Sequence, residues 1–191
     1  MVKDPPPQPS PRWVLQFYLL VMLLAFLSPF VIAYYRKSQN LQNEKLVIEK
    51  MRHYAEAQEA YFKEHNEYAQ SFEALGGDWA ATPVMPSPFQ TAGKGPSADA
   101  LADFHGYQFR ILTAQGASAE GGAKSWLDDK NRLTLGYGLL AAPVKYGFTG
   151  NYTFLMSGRS LYFVDYQVKT EQYVHSDTEF IIPPKATLLK P

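Results

Sequence analysis

From residue 13 to residue 35 the chain is apolar at nearly every position and carries no Asp, Glu, Lys or Arg; Gln16 and Ser28 are its clearly polar side chains. A helix rises about 1.5 Å per residue, so a run of this length covers roughly 30 Å, the thickness of a bilayer's hydrocarbon core. The pattern predicts a transmembrane helix over 13–35. Trp13, Phe17 and Tyr18 at one end, and Tyr34 and Tyr35 at the other, put aromatic rings where the two interfaces fall, with Arg12 before the run and Arg36 and Lys37 after it. The run is longer than the apolar region of a secretory signal peptide, and no small-x-small cleavage site follows it. It is too long and too uniformly apolar for a buried core helix. Pro29 removes one backbone hydrogen bond and predicts a kink, which membrane helices accommodate. Gln16 offers a hydrogen bond to a neighbouring helix or, near the interface as it is, to water. Trp13, Gln16, Phe17, Pro29, Tyr34 and Tyr35 are therefore the expected residues of anchoring and helix packing. The lipid bilayer and other membrane protein subunits are the expected partners.

From 38 to 66 the pattern changes to an amphipathic one. Val47, Ile48, Met51, Tyr54, Ala55, Gln58, Tyr61 and Phe62 recur at spacings of three and four and form one stripe. Glu49, Lys50, Arg52, Glu56, Glu59 and Lys63 take the other faces, with Glu59 and Lys63 an i,i+4 pair. Nothing after Tyr35 breaks the helix, so it is expected to continue from the anchor. A short helix follows over 71–75, with Ser71 as N-cap and Gly76 and Gly77 as its stop. Residues 80–96, rich in Pro, Gly, Ser and Thr, read as an irregular loop.

Period-two alternation then takes over. Strands are predicted over 107–113, 133–142, 152–156 and 161–166. A small-residue loop is expected over 114–124, a turn over 143–147 and a hairpin turn over 157–160. One long helix followed by an antiparallel sheet is an α+β fold, with the helix stripe on one sheet face. Residues 1–12 hold five prolines and read as a polyproline tail. Residues 36–168 form the domain. Residues 169–191 read as an extended tail that supplies an edge strand or a partner contact.

The chain has 191 residues. Without anchor and leading tail, roughly 150 remain, enough for one domain. Lys plus Arg and Asp plus Glu both number 18. No basic block is present, so nucleic acid is not an expected partner. With no cysteine, disulfides, thiolate catalysis and Cys-ligated metal clusters are excluded.

Residue types that carry chemistry are present but not in working constellations. His53 and His65 are too far apart on one helix to share a metal, and His105 and His175 complete no ligand motif. Asp128 and Asp129 sit in a polar run that reads as a hairpin loop rather than a calcium site. Ser157-Gly158 lacks a nucleophile elbow, and Gly121-Gly122 lacks the phosphate-loop consensus. Arg110, inside an aromatic strand, is expected to face solvent, stack on Tyr107 or Tyr162, or pair with Asp165. No catalytic set, cofactor or metal is expected, and the chain reads as a non-enzyme.

The segment Ala57-Gln58-Glu59-Ala60-Tyr61 followed by Tyr68-Ala69-Gln70-Ser71, behind an apolar helix, resembles the post-anchor helix of type IV pilins and pseudopilins. That resemblance implies a pilin-like domain. Where prepilins have a Gly cleavage site and a Glu in the apolar run, this chain has Pro11-Arg12-Trp13-Val14-Leu15-Gln16. A second resemblance rests on Gly106-Tyr107-Gln108-Phe109-Arg110-Ile111-Leu112-Thr113-Ala114-Gln115-Gly116 and Gly121-Gly122-Ala123-Lys124. It is supported by Ala141-Ala142-Pro143-Val144-Lys145-Tyr146-Gly147. These resemble the motif of an uncharacterised bacterial envelope family. Tyr107, Phe109, Arg110, Gln115, Gly121 and Gly122 are its candidate interaction or structural residues. The resemblance implies an extracytoplasmic domain on a single-pass inner-membrane protein. The charge count alone, with Lys3 and Arg12 before the span and Arg36, Lys37, Lys45 and Lys50 after it, points the other way.

Three functions follow as expectations. The first is a non-enzymatic accessory or structural subunit of a larger membrane complex. The second is a pseudopilin-like component of a secretion or pilus system. The third is a tethered enzyme or small-ligand binder, with a pocket lined by Arg110, Tyr107 or His105.

Overall fold

The structure is a computed structural model that describes residues 11–80, 84–86, 100–119, 121–165, 179–180 and 186–189. The proline-rich tail before residue 11, most of the expected 80–96 loop, most of the 169–191 tail and His175 lie outside them. The chain divides into two compact units, Met1–Ser38 and Gln39–Pro191.

Helix α1 covers Pro11–His65. It is long and apolar enough in its first part to cross a membrane, and no such second helix occurs among the described residues. In the first unit its apolar side chains are outward: Trp13, Phe17, Met22, Phe26 and Tyr34 are all exposed. Pro29 stands inside the helix without ending it. A proline at 29 deprives the Ala25 carbonyl of its i+4 donor. The Ser28 hydroxyl donates to that carbonyl at 3.0 Å.

In the second unit α1 ends where Asn66 adopts a left-handed conformation (φ 58°), its N–H donating to the Phe62 carbonyl at 2.8 Å. Asn tolerates this backbone better than most residues. The short helix α2, Phe72–Leu75, is capped by the Ser71 hydroxyl, which accepts from the Ala74 N–H, and it stops at Gly76 (φ 66°). Helix α3 is Gly77–Ala80.

Strands β1 Val84–Pro86, β2 Ala100–Phe104, β3 Tyr107–Leu112, β6 Gly138–Pro143, β7 Thr153–Ser157, β8 Ser160–Val164 and β10 Thr187–Leu189 form a sheet. Their order is β1-β2-β3-β6-β7-β8-β10, and every described pairing in it is antiparallel. A second sheet joins β5 Lys124–Ser125, β4 Ala114–Gln115 and β9 Glu179–Phe180, with β4 and β9 parallel. The α+β reading therefore holds: a long N-terminal helix and an antiparallel sheet.

Registers align Ile111, Leu139, Met156, Leu161 and Leu189 across one sheet face, and Arg110, Leu140, Leu155, Tyr162 and Leu188 across the other. The helix stripe joins the core through Val47, Met51, Tyr54 and Ala55. Tyr54 stands edge-on to Phe72, Trp79 and Tyr137, with centroids at 6.4, 5.5 and 6.0 Å, and Trp79 meets the edge of Phe109 at 5.7 Å. Each such pair adds about 0.5–1.5 kcal/mol beyond the area it buries.

Four sequence expectations are corrected. The 80–96 region holds a strand, Val84–Pro86, because Ala100–Phe104 pairs with it. The 114–124 loop is closed by strands at both ends, where Ala114 faces Ser125 and Gln115 faces Lys124. The 133–142 strand is shorter, Gly138–Pro143, and Pro143 ends it opposite Tyr107 instead of opening a turn. Leu133 instead forms isolated bridges with Tyr68 and Leu127. Spacing puts Lys50 with the charged residues outside the apolar stripe, yet the fold covers it. It is buried, with its ammonium 4.4 Å from the Trp79 ring centroid and 5.3 Å from that of Phe104, within the range of cation–π attraction.

Candidate functional site

Asn40, Asn43 and Glu44 are spaced i, i+3, i+4 and so share one face of α1. Their partners are backbone groups more than a hundred residues away. Asn40 Nδ2 donates to the Gly147 carbonyl at 3.1 Å, and Asn43 Nδ2 donates to the Thr149 carbonyl at 2.9 Å. Glu44 Oε1 accepts from the Asn151 N–H at 2.8 Å. Burial pushes the Glu44 carboxyl up from its ordinary value, against the backbone hydrogen bonds from Asn151 and Tyr152 that pull it down; the Asp165 charge adds to the rise.

The clasped segment between β6 and β7 is also fixed within itself. Thr149 Oγ1 accepts from the Lys145 N–H, the Gly147 N–H donates to the Gly150 carbonyl, and the Val144 N–H donates to the Gly106 carbonyl. Tyr107 Oη donates to the Tyr152 carbonyl at 2.9 Å, and its ring occupies the space a side chain at Gly150 would need. Burial raises the Tyr107 phenol well above its usual range. Tyr146 Oη donates to Asp165 Oδ1 at 2.8 Å; burial and this carboxylate push the phenol up to about 12.

The candidate motif residues are consumed in the fold. Tyr107 and Phe109 are fully buried core residues. Arg110 is 4% exposed, which removes the solvent-facing one of its three alternatives. Gln115 is buried, and its Nε2 donates to the Gly122 carbonyl at 2.7 Å. The hairpin it closes turns through Gly121 (φ 86°) and Gly122 (φ 74°), backbone that glycine adopts at little cost. The Asp128 side chain accepts from the Lys130 and Arg132 N–H groups and pairs with the Arg132 guanidinium at 2.7 Å. These hydrogen bonds, led by that from the Arg132 backbone, hold its carboxyl below the usual range. His105, exposed at a φ of 50°, meets the edge of Phe104.

An open groove of about 460 Å³ lies between α1 and the β8 side of the large sheet. Arg52, Glu56, Met156, Arg159, Leu161 and Leu189 line it, and Tyr107, His105 and Arg110 do not. Arg159 forks onto Glu59, with nitrogen–oxygen distances of 2.7 and 2.5 Å. That hydrogen bond lowers the Glu59 carboxyl, and the charge of Lys63, its i,i+4 neighbour on the helix, adds to the lowering. No group of three or more His, Asp or Glu close enough to hold a metal occurs among the described residues.

In the first unit, Trp13 and Phe17 stack at 6.0 Å, and Phe17 meets Tyr18 edge-on. Gln16, Tyr34 and Tyr35 lie exposed along the same helix. The structure thus gathers Tyr107 and Phe109 into the core and Gln115, Gly121 and Gly122 into one hairpin. Sequence reasoning missed Asn40, Asn43 and Glu44, whose one signal was polar residues on a helix face otherwise due to pack.

The matched span decides the family. The profile of the family described as "Protein of unknown function (DUF2950)" matches residues 38–184. The chain belongs to this family. The DUF2950 match covers the clasp, the Gly121-Gly122 hairpin and the large sheet from β1 to β8. No curated protein and no solved structure matches the chain.

Proposed function

We propose that this DUF2950 chain is a non-enzymatic, single-pass accessory or structural subunit of a larger bacterial membrane complex. Residues 13–35 cross the inner membrane, and the α+β domain faces the cell envelope. The observation that carries this reading is how the chain spends its side chains. The motif residues are used internally, whereas the apolar surface of α1 in the first unit is wholly outward. Polar satisfaction inside that helix fits a lipid setting, since Ser28 serves the carbonyl that Pro29 leaves without a donor.

The order of elements favours a pilin-like reading of the domain as well: a long helix, then β3, β6, β7 and β8 as antiparallel neighbours. That observation supports a pseudopilin-like component as the second reading.

The test is purification of the tagged full chain from native membranes in two mild detergents, followed by quantitative mass spectrometry. The proposed function expects one fixed set of membrane subunits at the same stoichiometry in both. A lone monomer contradicts it. A polymer of this chain alone supports the pseudopilin reading instead.

A further inference from the structure

The loop clasped by Asn40, Asn43 and Glu44 carries an outward apolar and cationic tip. Val144 is 50% and Phe148 45% exposed, while the hydrogen bonds on either side of them are made. The Lys145 ammonium lies 4.1 Å from the Phe148 ring centroid. Such exposure on a mobile loop would mean little. Here the backbone is held at Gly106, Asn40, Asn43 and Glu44, and the Tyr146 side chain at Asp165, so these side chains are presented in a fixed place.

Chain length limits where that place is. Asn40 follows Tyr35, the last aromatic residue of the span, by five positions. Five residues reach no more than about 18 Å even when fully extended. Gly147 is hydrogen-bonded to Asn40, so the loop tip is leashed to the membrane boundary whatever the path between. The opposite pole of the domain is marked by the Asp128–Arg132 hairpin, where Gln70 Nε2 donates to the Asn131 carbonyl. Between Asn40 and the helix end at His65 the axis rises about 38 Å.

We propose that the loop around Val144, Lys145 and Phe148 is a membrane-contact site that seats on anionic lipid headgroups. Phe148 and Val144 enter the interfacial layer, and Lys145 meets lipid phosphates. Aromatic and aliphatic groups beside a lysine match that layer chemically, with an apolar body and a charged tip. The site fixes which pole of the domain faces the bilayer. This inference rests on the anchor reading of residues 13–35.

The natural chain has no cysteine, so single-cysteine variants report one position each. The full chain is reconstituted in nanodiscs of phosphatidylethanolamine and phosphatidylglycerol. Nitroxide labels are placed at Leu24→Cys, Val144→Cys and Lys130→Cys, and power-saturation spectroscopy compares collisions with oxygen and with a water-soluble nickel chelate. The expected result is a deep label at 24, headgroup depth at 144 and free water at 130. Adding Lys145→Glu and Phe148→Glu should return the label at 144 to aqueous values, with that at 24 unchanged. A label at 144 as aqueous as that at 130, while 24 stays deep, overturns the membrane-contact site alone. Shielding at 144 from both collision partners overturns it in favour of a protein neighbour. An aqueous label at 24 overturns the anchor reading, and the site with it.

Discussion

The Ser28 hydroxyl donates a hydrogen bond to the Ala25 carbonyl at 3.0 Å, inside the apolar stretch of α1. Ala25 is four residues before Pro29, so its carbonyl is the one that loses a backbone donor to the proline ring. In water such a carbonyl is hydrated. In hydrocarbon it stays unsatisfied at a cost of several kcal/mol unless a side chain serves it. The neighbouring serine thus makes a proline tolerable in the segment proposed to cross the bilayer.

Removing that hydroxyl should loosen the helix locally. Ser28→Ala in nanodiscs should raise amide hydrogen exchange over residues 26–32 about five-fold, the factor that about 1 kcal/mol of local stability represents. Unchanged exchange there would mean that the Ala25 carbonyl has another donor.

Glu44 predicts a pH dependence of domain stability. Its carboxyl is raised in the fold, chiefly by burial, from an ordinary value of 4.5. Between 4.5 and that raised value the unfolded chain has already released the proton that the folded chain still holds. This group therefore costs stability progressively as pH rises through that window. Glu44→Gln keeps an oxygen for the Asn151 N–H but cannot ionise. The difference in melting temperature between Glu44→Gln and the natural chain should move in favour of the variant from about pH 4 to about pH 7. The Glu59 contribution has the opposite sign, since its lowered carboxyl is a stabilising group lost as pH falls, but it is common to both proteins and cancels. A difference that stays constant with pH would contradict this assignment.

Gln58 ties the helix to the turn that follows it. Its Oε1 accepts from the Ala69 N–H at 2.7 Å, and its Nε2 donates to the Ala69 carbonyl at 2.9 Å and to Tyr54 Oη at 2.8 Å. All of this is buried. Gln58→Ala leaves both backbone groups of Ala69 without their partner, at a cost of about 3 kcal/mol. Denaturant unfolding of the full chain in detergent, followed by Trp79 and Trp126 fluorescence, should show that loss. A midpoint equal to that of the natural chain would show that water replaces the side chain.

Much of this was legible in the sequence because it is local. The stripe through Val47, Met51, Tyr54 and Gln58 follows helical spacing, the Ser71 cap precedes its helix directly, and Gly158 marks the turn between β7 and β8. What escaped reading depends on distant partners. Ala100–Phe104 is short and unremarkable alone, and it becomes a strand by pairing with β3 and β1. Asn40, Asn43 and Glu44 look like solvated helix residues, because the carbonyls and N–H they serve are over a hundred positions away. Lys50 likewise meets its aromatic neighbours only in the folded chain. The Gln115–Gly122 bond was hidden for a different reason: a motif of glycines and a glutamine reads equally as a binding loop or as a self-closing hairpin.

The central claim is that the chain joins a membrane complex through its helix. It is tested most directly by replacing residues 13–35 with an unrelated membrane span of equal length. Membrane insertion is then read by fractionation, and complex membership by native gel and quantitative mass spectrometry. The exchanged chain is expected to stay in the membrane but to leave the complex. Full co-assembly of the exchanged chain, at the natural stoichiometry, would contradict it.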